Sequence, residues 1–228
     1  MSIIDILVPR YCIVCDSVLY SKHERFICLH CYSNMPLSCM GYNSKNVLAK
    51  SLWGRIPECK CGSLLTYKST SKYSNLIKQF KYKNNKKVGY FLARQLGLEL
   101  RNFSMTNFSK VKAILPVPLS RAKRLFRGYN QSEILAQGVS RVLNIPVRTD
   151  ILYRRISRVS QTKKGRFDRW LNLENIYYAD KSKLEDLEEI ILIDDIITTG
   201  STVVACVESI TRCKNIKVNV LSIAYTQY

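Results

Sequence analysis

Ile190-Ile191-Leu192-Ile193-Asp194-Asp195-Ile196-Ile197-Thr198-Thr199-Gly200-Ser201-Thr202 puts four aliphatic residues directly before two carboxylates and a hydroxyl-rich turn. The aliphatic run reads as a buried strand whose exposed end is marked by the acid pair. Val203-Val204-Ala205-Cys206-Val207 then reads as a helix that opens on the Thr/Gly/Ser loop. A strand, an acid pair, hydroxyls and a helix N-terminus together make a cradle for a sugar phosphate. The helix end offers backbone N–H groups and a favourable dipole to a phosphate, and Asp194 and Asp195 can accept hydrogen bonds from ribose hydroxyls. The plainer reading is a buried strand that happens to end in Asp-Asp before a capped helix. Two acids at a strand end are costly unless something satisfies them, which favours the cradle.

With 228 residues the chain has room for one medium α/β domain and a small appendage. No run of about 18 apolar residues occurs, so no membrane-spanning helix is expected. Met1 to Val8 is apolar but short, contains Asp5 and lacks a basic leader, so it does not read as a secretory signal. A cytoplasmic location is expected. Lys and Arg number 36 against 17 Asp and Glu, a formal charge of +19, which favours polyanionic partners without selecting a fold. Between Lys112 and Trp170 there are 14 basic residues and only Glu133, Asp150 and Asp168 as acids. Some of that charge can serve a pyrophosphate. Another basic group, Lys78, Lys81, Lys83, Lys86 and Lys87, reads as solvated helix faces. Nucleic-acid binding is an open alternative for the excess.

Cys12-Ile13-Val14-Cys15 and Cys28-Leu29-His30-Cys31 are two Cys-x-x-Cys knuckles separated by twelve residues. Four thiolates at this spacing suit a structural Zn²⁺ site that is closed and non-catalytic. Disulfides are the alternative, and a reducing compartment argues against them. His30 and His23 could substitute as ligands, but four cysteines suffice. Cys39, Cys59 and Cys61 lack a fourth partner and are read as ordinary thiols. Cys206 and Cys213 read as small hydrophobes on the last helix.

Helical spacing runs through Tyr73, Leu76, Ile77 and Phe80, then through Val88, Phe91, Leu92 and Leu96, with a break at Asn84-Asn85. Val111 to Pro118 reads as a strand closed by prolines. A basic loop, Leu119 to Gln131, follows it, with Gly128 allowing a tight turn before a helix over Asn130–Leu143. A basic loop between strand and helix suits a doubly charged leaving group. Arg154 to Asn172 is long, basic and weakly periodic, which suits a lid or a binding surface. Phe167 and Trp170 within it could stack on bases or anchor the loop. Lys217 to Tyr225 reads as an edge or next-to-edge strand.

Four blocks together are similar to the ComF (ComFC) family of competence-associated phosphoribosyltransferase-like proteins. They are Pro9-Arg10-Tyr11-Cys12 to Cys31, then Pro116-Val117-Pro118-Leu119 with Arg127-Gly128-Tyr129-Asn130-Gln131, then Gln161-Thr162 through Arg169 to Asn172, and the acid-pair run. The last resembles the phosphoribosyl pyrophosphate (PRPP) motif of type I phosphoribosyltransferases. The resemblance implies an α/β type I phosphoribosyltransferase fold, with a central parallel sheet, flanking helices and a flexible basic hood. A zinc module would span residues 1–66 and the larger domain 67–228, with 67–110 a helical connection packing the two together.

The resemblance also implies roles. Asp194 and Asp195 would bind the ribose hydroxyls and carry any catalysis, and Thr198, Thr199, Gly200, Ser201 and Thr202 would bind the 5′-phosphate. Leu119, Arg121, Arg124 and Arg127 would lie near pyrophosphate, with Mg²⁺ bridging it to the ribose. Gln161, Lys163, Lys164, Arg166 and Arg169 of the hood could meet DNA. Many members carry a second cysteine ribbon, which Cys39, Cys59 and Cys61 do not fill, so one zinc is expected. Family members are associated with DNA uptake in natural transformation. Single-stranded DNA and a competence or helicase protein are therefore the expected partners, with the chain at the inner face of the membrane where partners hold it. Two activities stay open: transfer of ribose-5-phosphate to an unspecified acceptor, and DNA binding by a factor whose PRPP pocket is regulatory or vestigial.

Overall fold

Ile190 to Ile193 are fully buried and form the middle of β5 (Glu189–Ile197) in the computed structural model, which describes residues 9–21, 24–103, 108–155 and 176–226. The strand lies between β2 (Val111–Pro116) and β6 (Lys217–Tyr225), and β6 pairs in turn with β1 (Cys61–Thr66). The sheet order is β1-β6-β5-β2 and every pairing is parallel. Burial on both faces explains why β5 reads as a continuous apolar run rather than an alternating one. The fold class is the expected one, a parallel α/β sheet flanked by helices, and Lys217–Tyr225 is the next-to-edge strand.

Successive side chains of β5 enter different cores, as a period of two requires. Ile191 and Ile193 pack with Leu92 and Leu96 of α4 (Lys86–Phe103) and with Leu135 and Val139 of α6 (Gln131–Leu143). Ile190 and Leu192 pack with Val203, Cys206, Val207 and Ile210 of α7 (Ser201–Cys213). The first core also takes Phe80 of α3 (Ser74–Tyr82), and the second takes Leu48 and Leu52 of α2 (Val47–Leu52). The expected break between the two middle helices is present, with Asn84 at φ 53° in the left-handed region that asparagine tolerates.

β1 lies within the stretch expected to form the zinc module. Cys-Gly-Ser-Leu-Leu-Thr has neither alternation nor β-branched enrichment, so the strand was not legible from pattern. Its outer edge is covered by antiparallel bridges from Leu37 to Leu65 and from Asn43 to Cys61, which removes a row of open backbone groups. The short α1 (Leu29–Ser33) belongs to the second Cys knuckle. Its neighbours Cys12, Val14, Leu19 and Ile27 join the core that holds Leu92. The N-terminal segment is therefore packed on the sheet domain and does not hang from it.

α4 and α6 approach closely at Gly138. A Cβ there would stand 2.5 Å from the Ala93 Cβ and 3.0 Å from the Tyr90 carbonyl oxygen. Alanine improves helix propensity by about 1 kcal/mol, whereas overpacking costs about 1–3 kcal/mol. Crowding against a backbone atom decides the balance. Gly138→Ala is expected to lower the urea midpoint at unchanged slope, and Gly138→Val to lower it further.

Candidate functional site

Asp194 and Asp195 are half-buried near the end of β5, at the carboxyl edge of the sheet. The strand backbone already satisfies part of each carboxylate. The Asp195 N–H donates to Asp194 Oδ1 at 2.8 Å, and the Ile196 N–H donates to Asp195 Oδ1 at 2.6 Å. Ser132, in the first turn of α6, donates its hydroxyl to Asp194 Oδ1 at 3.2 Å. Lys81 reaches from α3 to place its Nζ 2.9 Å from Asp195 Oδ2, with side-chain exposures of 16% and 15%.

This environment treats the two acids differently. Loss of water pushes the Asp194 carboxyl up to about 7, the neighbouring Asp195 charge adds to the rise, and hydrogen bonds and Lys81 only partly oppose it. Lys81→Met would remove the cation that, among the described residues, is paired with Asp195. Because both partners are mostly shielded, the pair is worth more than the ~0–1 kcal/mol of a surface bridge. The variant is expected to lose about 1–3 kcal/mol at pH 8 by urea denaturation, and less at pH 5, where Asp194 carries its proton.

The loop after β5 is shaped by Gly200, whose φ of 72° lies in the left-handed region. A Cβ at Gly200 would stand 2.6 Å from Leu52 Cδ2, so the turn needs glycine for its space as well as its dihedral. Arg55 Nη1 donates to the Thr199 carbonyl at 2.6 Å, and the Thr199 and Ser201 hydroxyls lie 3.0 Å apart. Thr198, Thr199, Ser201 and Thr202 are all exposed. They surround a pocket of about 40 Å³ bounded by Asp194 and residues 196–203, roughly three waters at 10–15 Å³ each, the scale of one phosphate group. The first turn of α7 brings N–H groups without intrahelical partners to the same place.

The segment after β2 forms the neighbouring wall. Most of the expected basic loop is a helix, α5 (Arg121–Arg127), capped by Ser120 and ended by Gly128 at φ 74°, and none of its residues is buried. Arg121 and Arg124 are exposed and Leu119 is half-buried. Arg124 stands 3.8 Å from Glu133, a weak surface pair. Arg127 stacks over Tyr82 at 5.4 Å and donates to Gln131 Oε1 at 3.1 Å. The following block ties this corner to the sheet. Tyr129 donates its hydroxyl to the Phe80 carbonyl. Asn130 caps α6 and donates to the Val117 carbonyl at 3.1 Å. Gln131 is 1% exposed, and its Nε2 has no partner among the described residues.

The structure thus brings Asp194, Asp195 and residues 198–202 together, with the 119–131 corner on the adjoining strand. Gln161, Lys163, Lys164, Arg166 and Arg169 lie outside the described residues, as do Phe167 and Trp170. The flanking strands β3 (Leu152–Arg154) and β4 (Tyr177–Ala179) pair antiparallel. Sequence reasoning missed Lys81, which it assigned to a solvated face, together with Ser132 and Arg55. Each acts across a long chain separation, and no local spacing marks it.

A second cluster lies in the N-terminal segment. The Sγ atoms of Cys12, Cys15, Cys28 and Cys31 all fall within 4.8 Å of one another. The Cys15 and Cys28 sulfurs are 3.7 Å apart, close to the roughly 3.8 Å edge of a tetrahedron with 2.3 Å Zn–S bonds. N–H groups of Cys28 and Cys31 point at Cys12 Sγ and Cys28 Sγ, both at 3.4 Å. The donor set and its geometry fit a metal such as zinc. Cys59 and Cys61 are buried with their sulfurs 3.5 Å apart, and Cys39 is exposed.

No family model matches the chain. Competence protein F of Haemophilus influenzae is 33% identical over 205 residues, covering 78% of this chain and 87% of that protein. The chain belongs to the ComF family. Similar too are the competence protein ComFC of Bacillus subtilis, 36% identical over 106 residues that cover 44% of this chain and 40% of that one, and the DNA utilization protein YhgH of Escherichia coli K12, 29% identical over 140 residues and 61% of each chain. Among solved structures, the glutamine PRPP amidotransferase of B. subtilis is 16% identical with a TM-score of 0.44, over 64% of this chain and 30% of that one. The adenine phosphoribosyltransferase of Trypanosoma brucei is 12% identical with a TM-score of 0.37, over 67% and 68% of the two chains. Among the described residues of this ComF chain no helix is long and apolar enough to cross a membrane.

Proposed function

We propose that this ComF protein binds PRPP at the carboxyl edge of β5 and acts in DNA uptake, on the cytoplasmic side and beside competence partners that hold it near the membrane. One observation carries the reading: an acid pair, a phosphate-sized hydroxyl pocket at a helix N-terminus, and a basic corner converge at the ends of two adjacent parallel strands, where open α/β sheets bind ligands. In this reading Asp194 and Asp195 accept bonds from the ribose hydroxyls. Residues 198–202 and the α7 N–H groups hold the 5′-phosphate. Arg121, Arg124, Arg127 and the Gln131 Nε2, which has no partner among the described residues, face the pyrophosphate. Mg²⁺ prefers oxygen ligands and retains waters. The acid pair supplies carboxylate oxygens that suit it, and the ion would neutralise charge on the pyrophosphate.

If transfer occurs, the C1–oxygen bond breaks with its electron pair leaving on pyrophosphate, and C1 bonds to an incoming nucleophile. The chain's contribution is then positioning of the ribose and stabilisation of the leaving charge. The family and the +19 charge support a DNA partner beside this pocket, and the two readings are compatible. Isothermal calorimetry with PRPP and Mg²⁺, with and without a dT20 oligonucleotide, tests them. Saturable binding near one site per chain is expected, with affinity changed by the oligonucleotide. Absence of PRPP heat with retained oligonucleotide binding would reduce the chain to a DNA-binding protein on an enzyme-like fold.

A further inference from the structure

A groove of about 660 Å³ lies where the Cys knuckles meet α4, away from the β5 cradle. Its cationic lining comes from two parts of the chain. Lys86, Lys87 and Arg94 lie along one face of α4, and Arg25 stands opposite in the N-terminal segment. All four are exposed. Arg10 adds a guanidinium that donates to the Glu24 and Ser21 carbonyls. Among the described residues no Asp or Glu lines the groove.

The floor is aromatic. Phe26, Tyr90 and Phe91 are half-buried and line the same space, with the Phe26 and Phe91 rings 5.9 Å apart and tilted by 58°. Charge alone would fit any polyanion. Part-open rings beneath a row of cations fit one whose flat faces are unpaired, because stacking needs a base that is not already in a duplex. From Lys86 to Arg94 the helix rises about 12 Å, long enough for its cations to meet more than one phosphate of an unpaired strand. The groove also leads somewhere. Lys86 sits 5.1 Å over the Tyr129 ring, and Tyr129 bonds the Phe80 carbonyl, one residue before the Lys81 that holds Asp195.

We propose that this groove, between the Cys knuckles and α4, is a binding track for single-stranded DNA that runs toward the acid pair of β5. The assignment rests on the DNA partner of the proposed function and names the surface that partner occupies. Cations on α4 and at Arg25 take the phosphates, and Phe26, Tyr90 and Phe91 take the bases. The zinc module's function is then to supply one wall of the track.

The test is fluorescence anisotropy of labelled dT20 with the full chain, over a series of salt concentrations. Arg25→Ala, Lys87→Ala and Arg94→Ala combined is the variant, since all three side chains are exposed. A control removes the exposed Lys110 and Lys112, at the far end of β2 from the cradle. The groove variant is expected to lose at least tenfold in affinity. Its log–log salt slope should be shallower by about 2, near 0.7 for each phosphate no longer neutralised. PRPP affinity without DNA should be unchanged, and the control should lose far less. Equal loss in control and groove variants would overturn the assignment by showing a diffuse charge effect. Undiminished binding by the groove variant would place the DNA elsewhere, and no dT20 binding by the unaltered chain would remove the DNA reading itself. Displacement of dT20 by dTMP at matched nucleotide concentration would make the groove a mononucleotide pocket and also overturn it.

Discussion

Asp194→Asn combined with Asp195→Asn is expected to abolish measurable PRPP binding in calorimetry while the chain stays folded. A hydrogen bond to a charged group is worth about 1.5–3 kcal/mol, so loss of both carboxylates costs about 3–6 kcal/mol, or a factor on the order of 10² to 10⁴ in affinity. The substitutions keep the shape of the site and change only the charge. The singles separate ligand binding from stability. Burial raises the Asp194 carboxyl to about 7 in the fold, far above the ordinary aspartate range. The folded state therefore disfavours its ionised form. Its contribution is intact below about pH 4 and is lost as pH rises through 7. Asp194→Asn should flatten that decline and be at least as stable as the parent at pH 8. Asp195→Asn removes the partner of Lys81 and should be less stable. Tight PRPP binding by the double variant would sink the ribose assignment. A parent protein whose stability rises between pH 4 and 7 in step with Asp194 titration would contradict its environment.

The elements that sequence made legible are those whose signal is local. Ile190–Ile193 had to be a doubly buried strand because four consecutive aliphatics have no polar face. The apolar spacing after Asn130 announced α6, and the structure adds that Asn130 caps it. Gly128 and Gly200 announced turns, and both hold φ values near 70°. What stayed hidden depends on partners distant in the chain. β1 is a strand because β6 and residues 37–43 pair with it, and its own residues carry no strand pattern. The 119–131 segment read as a loop because a helix with no buried face has no hydrophobic period to detect. Lys81 looked like one more surface lysine. Only the place of α3 in the core that it shares with α4 and β5 brings it to Asp195, and only the structure separates it from Lys83, which is exposed.

Emptying the four-cysteine site, which fits a metal such as zinc, is expected to produce the other large effect. The four sulfurs lie within 4.8 Å of one another, so an ion bound among them would tie the two knuckles together, and Cys12 and Cys31 are fully buried. Zinc-linked folding energy in isolated fingers is on the order of 10 kcal/mol. Here the segment is also fastened by packing. Val14, Leu19 and Ile27 enter the core, the Tyr73 hydroxyl donates to the Cys31 carbonyl at 3.0 Å, and the Tyr32 hydroxyl donates to Gln95 at 2.8 Å. The metal and the packing therefore share the task, and chelation should loosen the segment without unfolding the sheet. If half of the metal's contribution is expressed, about 5 kcal/mol, the melting temperature falls by about 10–20 °C for a chain of this size. Cys12→Ser with Cys28→Ser is expected to abolish zinc binding, measured by elemental analysis of the purified chain, whereas Cys39→Ser should leave it at one zinc per chain. Retention of one zinc per chain by the double variant would refute the four-thiolate site. The same variant discriminates between the two ligands. Arg25 and Phe26 lie in the loosened segment and the β5 cradle does not. Oligonucleotide affinity should therefore fall while PRPP binding persists. Loss of both together would mean that the knuckles hold the sheet domain in its working form, and the zinc would then be as necessary to the cradle as to the groove.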